Sequence, residues 1–104
     1  MDKATDNTIK QYVLKVAHQT PSFFKAYIFG SYAQGKERPD SDIDIAFILD
    51  KITDNEKFDL QVQLLLLASK FDTRIEPHPI SQEDFISGSP FVEEIRKSGI
   101  EVTL

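Results

Sequence analysis

Asp42 and Asp44 stand two residues apart, and twelve residues before Asp42 a glycine–serine pair, Gly30-Ser31, interrupts an apolar stretch. Two carboxylates at i, i+2 on an extended strand point to the same face. There they can share a divalent cation, because hard dications take anionic oxygen ligands. The segment Gly30-Ser31-Tyr32-Ala33-Gln34-Gly35 is framed by glycines. A glycine turn that opens a helix offers unsatisfied backbone N–H groups and the positive end of the helix dipole, which suits phosphate. Together the two segments predict a site that holds a polyphosphate through a metal ion.

The neighbouring residues must position that site. Phe23 to Phe29 is rich in aromatic and β-branched residues and reads as a strand that delivers Gly30. Ser31 to about Lys36 reads as a short helix, with Gly35 ending it in a left-handed conformation. Glu37 to Asp40 is a loop, and Ile43 to Leu49 is a second strand carrying Asp44. An Asp among Ile43, Ile45 and Ala46 runs against strand propensity, which points to a role in chemistry.

The run from Phe29 to Leu49 resembles the signature of the nucleotidyltransferase superfamily with the DNA polymerase β-type catalytic fold, in particular its minimal nucleotidyltransferase branch. The family pattern is Gly-Ser, a short helical segment with a second Gly, a spacer, then Asp-x-Asp and an apolar strand. The resemblance implies Mg²⁺ held by Asp42 and Asp44, and attack of an acceptor hydroxyl on the α-phosphorus of a nucleoside triphosphate, with ATP as the expected substrate. It implies that Gly30 and Ser31 contact phosphate oxygens. It also implies a third carboxylate on a later strand, serving as metal ligand and base. Glu76 is the candidate, with Asp72 the rival: Asp72, Arg74 and Glu76 fall on one face of a strand expected over Phe71 to Pro77. Many relatives carry Arg where Gln34 stands, so positive charge at the triphosphate would come from Lys36 or Arg38. His78, between Pro77 and Pro79, reads as a loop residue.

Other elements follow from capping and periodicity. Asp6 or Thr8 is expected to cap a first helix with Ile9, Val13, Val16 and Ala17 on one face. Thr53 or Asp54 caps a helix from about Asn55 to Lys70. Its apolar residues form two stripes, Leu60, Leu64 and Leu67 beside Phe58, Val62, Leu65 and Leu66. The expectation is burial on a wide front against the sheet, with a dimer or partner surface as the alternative. Ser81 caps a short helix, Ser89-Pro90 begins a last one, and Ile100 to Leu104 adds an edge strand. The sum is one α+β domain over residues 1–104: a mixed sheet of three to four strands with helices packed on one face.

Composition narrows the function. No cysteine is present, so thiol chemistry and disulfide scaffolds are excluded. Net charge is −5 with no cluster of basic residues, which argues against direct binding of a long nucleic acid. No apolar run is long enough to enter a membrane, and the cytoplasm is the expected compartment. At 104 residues the chain has the size of the catalytic core alone, so the acceptor side is expected to be completed by another polypeptide or by a homodimer. Chains like this resemble the antitoxin half of toxin–antitoxin pairs whose partner is an all-helical nuclease of the HEPN type. The resemblance implies transfer of AMP to a hydroxyl of that partner. Contact inhibition by an inert module, or transfer to a small molecule such as an aminoglycoside, are the alternatives.

Overall fold

The computed structural model describes residues 2–104. Four helices and four strands follow one another as α1 (Lys3–Gln19), β1 (Phe23–Phe29), β2 (Ile43–Leu49), α2 (Asp54–Ala68), β3 (Ile75–Ser81), α3 (Gln82–Ser87), α4 (Pro90–Ser98) and β4 (Ile100–Glu101). The strands form one mixed sheet in the order β3-β2-β1-β4, with β1 antiparallel to both neighbours and β2 parallel to β3. The expected α+β class holds.

Alternation along β2 divides the core. Ile43, Ile45, Phe47 and Leu49 face the larger cluster, where Ile9, Tyr12, Val13 and Val16 of α1 and Leu64 and Ala68 of α2 are buried. Ala46 and Ile48 face a smaller cluster with Phe29, Ile80 and Ile95 of α4, and Phe85 of α3 packs against it. The helices, expected on one face, therefore cover both. Period two makes this necessary, because β2 is buried from Ile45 to Leu49 without a polar break.

Several boundaries differ from expectation for local reasons. Asp2, not Asp6 or Thr8, caps α1: its Oδ1 accepts from the Thr5 N–H at 2.7 Å, while the Thr5 hydroxyl donates to Oδ2 at 2.9 Å. Tyr12 joins the apolar face of α1, fully buried, its hydroxyl donating to the Leu64 carbonyl at 2.8 Å. Burial pushes that phenol well above its ordinary pKa. Thr53 caps α2, and Ser81 and Ser89 cap α3 and α4 as expected.

The third strand begins later than the sequence suggests, at Ile75 rather than Phe71, and runs through both prolines. It is an edge strand, and Pro77 and Pro79 are two residues apart, so their missing N–H groups fall on the same, unpaired side. The Pro77 carbonyl on that side accepts from Nε2 of Gln61 on α2 at 2.5 Å. The prolines thus blunt an edge instead of ending a strand.

The wide burial expected of α2 is not found. Leu64 and Ala68 are buried and Leu60 and Leu67 half-buried, but Phe58 is 70% exposed, Leu66 64%, Leu65 49% and Val62 43%. The second stripe is a surface. No helix is long and apolar enough to cross a membrane among the described residues.

Candidate active site

Three strand ends meet at the N-terminal end of β2. Phe29 pairs with Asp44, and Asp44 pairs with Glu76, so the three residues lie in one row across the sheet. Asp42 precedes β2 by one residue, close enough for its charge to act on Glu76. Ligand atoms of Asp44, Glu76 and His78 all lie within 4.8 Å of one another.

The electrostatics are crowded. Loss of hydration, then the charge of Asp42, raise the Glu76 pKa above its ordinary value; Asp44 adds to this and His78 opposes it. His78 Nε2 lies 3.1 Å from Asp44 Oδ1, and its ring packs against Phe29 and Phe91 at centroid distances of 5.2 and 5.9 Å. His78, expected in a loop, thus sits within β3 on the face that carries Glu76. Strand period two from Glu76 could have found it, had the strand not been ended at Pro77.

Asp72, the rival third carboxylate, lies apart from this row. It precedes β3 and holds Arg74: Oδ1 accepts from the Arg74 backbone N–H and from Nε, and Oδ2 from Nη2 at 2.7 Å. Hydrogen bonds from Arg74 lower the Asp72 pKa. The same guanidinium donates to the Tyr32 hydroxyl at 2.5 Å and to the Pro39 carbonyl at 3.2 Å. The Arg74 carbonyl in turn accepts from the Ile43 N–H at 2.8 Å. One residue therefore ties the glycine turn, the loop before Asp42 and the start of β3 together.

The segment after Gly30 is a turn rather than the helix expected. The Gln34 N–H donates to the Gly30 carbonyl and the Lys36 N–H to that of Ser31, and no regular helix follows. A helix dipole is therefore not available here. The N–H groups of Ser31, Tyr32 and Ala33 make no backbone hydrogen bond among the described residues, so donors remain for an anion. Gly30 and Gly35 have φ of 76° and 70°, the left-handed region that favours glycine. Gly30 has a second reason: a Cβ there would stand 2.7 Å from Asp44 Oδ2. The absence of a side chain keeps the carboxylate's approach open. Lys36 and Arg38 are exposed, and their side chains make no ion pair among the described residues. The Arg38 backbone is held by Ser41: its N–H donates to the Ser41 hydroxyl and its carbonyl accepts from the Ser41 N–H.

Three carboxylates and an imidazole around one strand end suit an oxygen-seeking divalent cation better than a soft one. Burial and then carboxylate repulsion raise the Glu76 pKa; a cation would relieve the repulsion, and the donor set fits it. The four-stranded mixed sheet, the glycine turn and this donor set narrow the protein to one family. The family model described as Polymerase beta, Nucleotidyltransferase matches residues 9–102, so the chain belongs to that family. No curated protein matches the chain. Among solved structures, a nucleotidyltransferase-type protein of Sulfolobus solfataricus is 25% identical, with TM-score 0.65 over 92% of this chain and 77% of the other. A toxin–antitoxin complex with AMP-PNP is 25% identical, with TM-score 0.63 over 90% of this chain and 72% of the other. The complex of a tri-AMPylated Shewanella oneidensis HEPN toxin with its MNT antitoxin, 21% identical with TM-score 0.59 over 94% of this chain and 71% of the other, shares the fold.

Proposed function

We propose that the protein transfers AMP from ATP to a hydroxyl of a partner protein, a HEPN-type toxin, and acts as its cytoplasmic antitoxin. The observation that carries this reading is the row of Phe29, Asp44 and Glu76 across three adjacent strands, with Gly30 close against the Asp44 carboxylate. Asp42, Asp44 and Glu76 would hold Mg²⁺, which when bound supplies charge stabilisation to the attacking and leaving oxygens. The N–H groups of Ser31 to Ala33 orient the phosphates, with Lys36 and Arg38 within the same turn and loop to add charge. Glu76 accepts the proton of the acceptor hydroxyl. As the acceptor oxygen bonds to the α-phosphorus, the bond to the bridging oxygen breaks and pyrophosphate leaves with its electron pair. Arg74 keeps the turn and the Asp42 loop in register for this.

The similar complexes of known structure support a protein partner, and net charge of −5 supports a basic one. The test is transfer of label from α-³²P-ATP, with Mg²⁺ and the product of the adjacent gene, by wild type and Asp44→Asn. Label on the partner with wild type alone supports the reading. A stable complex of the two proteins that takes no label favours inhibition by contact.

A further inference from the structure

Transfer by Asp42, Asp44 and Glu76 uses no histidine. Yet among the described residues the ligand atoms that come within 4.8 Å of one another belong to Asp44, Glu76 and His78, and Asp42 is outside that group.

The sheet puts the imidazole there. β3 runs parallel to β2, so Glu76 pairs with Asp44 and His78 with Ala46. Glu76 and His78 share a face by period two. Ala46 is small, and the ring of His78 reaches diagonally past it to Asp44, where Nε2 lies 3.1 Å from Oδ1. Two phenyl rings hold it in place. Phe29 and Phe91 lie 5.2 and 5.9 Å from the imidazole and 5.3 Å from each other, centroid to centroid. A side chain locked by such packing presents its nitrogen in a fixed direction.

The 3.1 Å contact has two readings with different chemistry. In one, the imidazole N–H donates to Asp44 and only orients it. In the other, both atoms turn to one cation. Neighbouring ligands of an octahedral ion stand about 3 Å apart, given bonds of about 2.1 Å. The two donors are already at that spacing. An orienting hydrogen bond needs only the pair, whereas Glu76 makes three donors of two kinds. The donor kind decides the ion. Mg²⁺ takes oxygen and sheds water reluctantly. First-row transition dications accept imidazole beside carboxylate.

We propose that His78 is a direct ligand of this centre and gives it a preference for a first-row transition dication over Mg²⁺. The proposal rests on the reading of Asp44 and Glu76 as a metal centre, but it can fail separately. The probe is Mn²⁺ alone. The reference protein is His18→Gln, because His18 on α1 is the other histidine of the chain. Electron spin echo envelope modulation reads nitrogen bound to Mn²⁺, and calorimetry gives Mn²⁺ and Mg²⁺ affinities. His78→Phe, made in the same background, keeps a ring beside Phe29 and Phe91 and removes the nitrogen.

Histidine ¹⁴N modulation is expected in the reference protein and none in His78→Phe. The variant should bind Mn²⁺ at least about tenfold more weakly, with Mg²⁺ affinity within about twofold. Mn²⁺ bound to the reference protein without nitrogen modulation overturns the proposal, whether or not the variant folds. Mn²⁺ and Mg²⁺ affinities that fall together also overturn it, since that marks a hydrogen bond that only orients Asp44. If α,β-methylene-ATP still binds with Mg²⁺ in either case, the transfer reading stands alone. Mn²⁺ held through nitrogen by a protein that binds no nucleotide supports the ligand while removing the transfer reading.

Discussion

Two groups of carboxylates lie at the start of β3, only four residues apart, and they are held in opposite ways. Asp72 is paired with Arg74 through three hydrogen bonds, and its pKa is lowered. Glu76 meets Asp42 and Asp44, and its pKa is raised. The first arrangement is complete within the chain. The second gathers three carboxylates around a single imidazole, that of His78. A fold under no functional demand would disperse that charge, since like charges drawn together oppose folding. Acidity alone therefore does not mark a site; what marks it is several carboxylates gathered around one imidazole, beside a glycine that has no side chain.

The largest effect is expected on activity. Asp44→Asn should lower Mg²⁺-dependent transfer at least about a hundredfold, since metal stabilisation is worth several kcal/mol. Its fold should persist, as judged by circular dichroism. Equal transfer by variant and wild type would break the comparison. Gly30→Ala places a methyl against Asp44 Oδ2 in a left-handed backbone. It should cost about 1–2 kcal/mol in urea unfolding and also reduce nucleotide affinity. Lost stability with unchanged affinity would show that the glycine serves only the turn.

Arg74→Ala should destabilise the protein by about 2 kcal/mol, because Asp72, Tyr32 and the Pro39 carbonyl all lose a charged donor. Arg74→Lys should recover only part, as a lysine cannot reproduce the fork. Both should raise KM for the nucleotide more than they lower kcat, because Arg74 positions the turn without touching the reacting atoms.

A smaller pair of effects has opposite signs. In metal-free buffer at pH 7, Asp72→Asn should lower the urea midpoint, by about 1 kcal/mol. Glu76→Gln should raise it. The pH dependences follow from linkage. The Asp72 contribution is present above the unfolded Asp pKa of about 3.9 and is lost as pH falls through its lower folded value. For Glu76 the folded state binds its proton more tightly. Stability therefore declines as pH rises from the unfolded Glu value of about 4.3 through the higher folded one. Equal signs for the two variants would erase the distinction between the regions. The smallest expected change is Leu66→Ser on exposed α2, within about 0.5 kcal/mol in the same unfolding assay.

Much of this was legible in the residues. β1 and β2 fall where alternation and β-branched residues place them, and three of the four helix caps are serine or threonine at the expected positions. Asp42 and Asp44 are conspicuous because strand propensity disfavours them. What was not legible depends on tertiary context. Pro77 and Pro79 read as a break unless β3 is an edge, and a strand that ends at Pro77 excludes His78 and keeps Asp72 on the face of Glu76. After Gly30 the segment closes as a turn, with Gly30 and Gly35 both at positive φ and the Tyr32 hydroxyl taken by Arg74 from another part of the chain. The stripe Phe58–Val62–Leu65–Leu66 has core composition but no sheet to cover, since β3 ends the sheet beneath α2.

The central claim is that Asp42, Asp44 and Glu76 form a metal centre for a nucleoside triphosphate. The most direct measurement is calorimetric titration of α,β-methylene-ATP into wild type and Asp44→Asn, each with Mg²⁺ and with EDTA. Binding is expected by wild type with Mg²⁺ and in none of the other three conditions. Binding that is the same with Mg²⁺ and EDTA, or the same in wild type and variant, would contradict it.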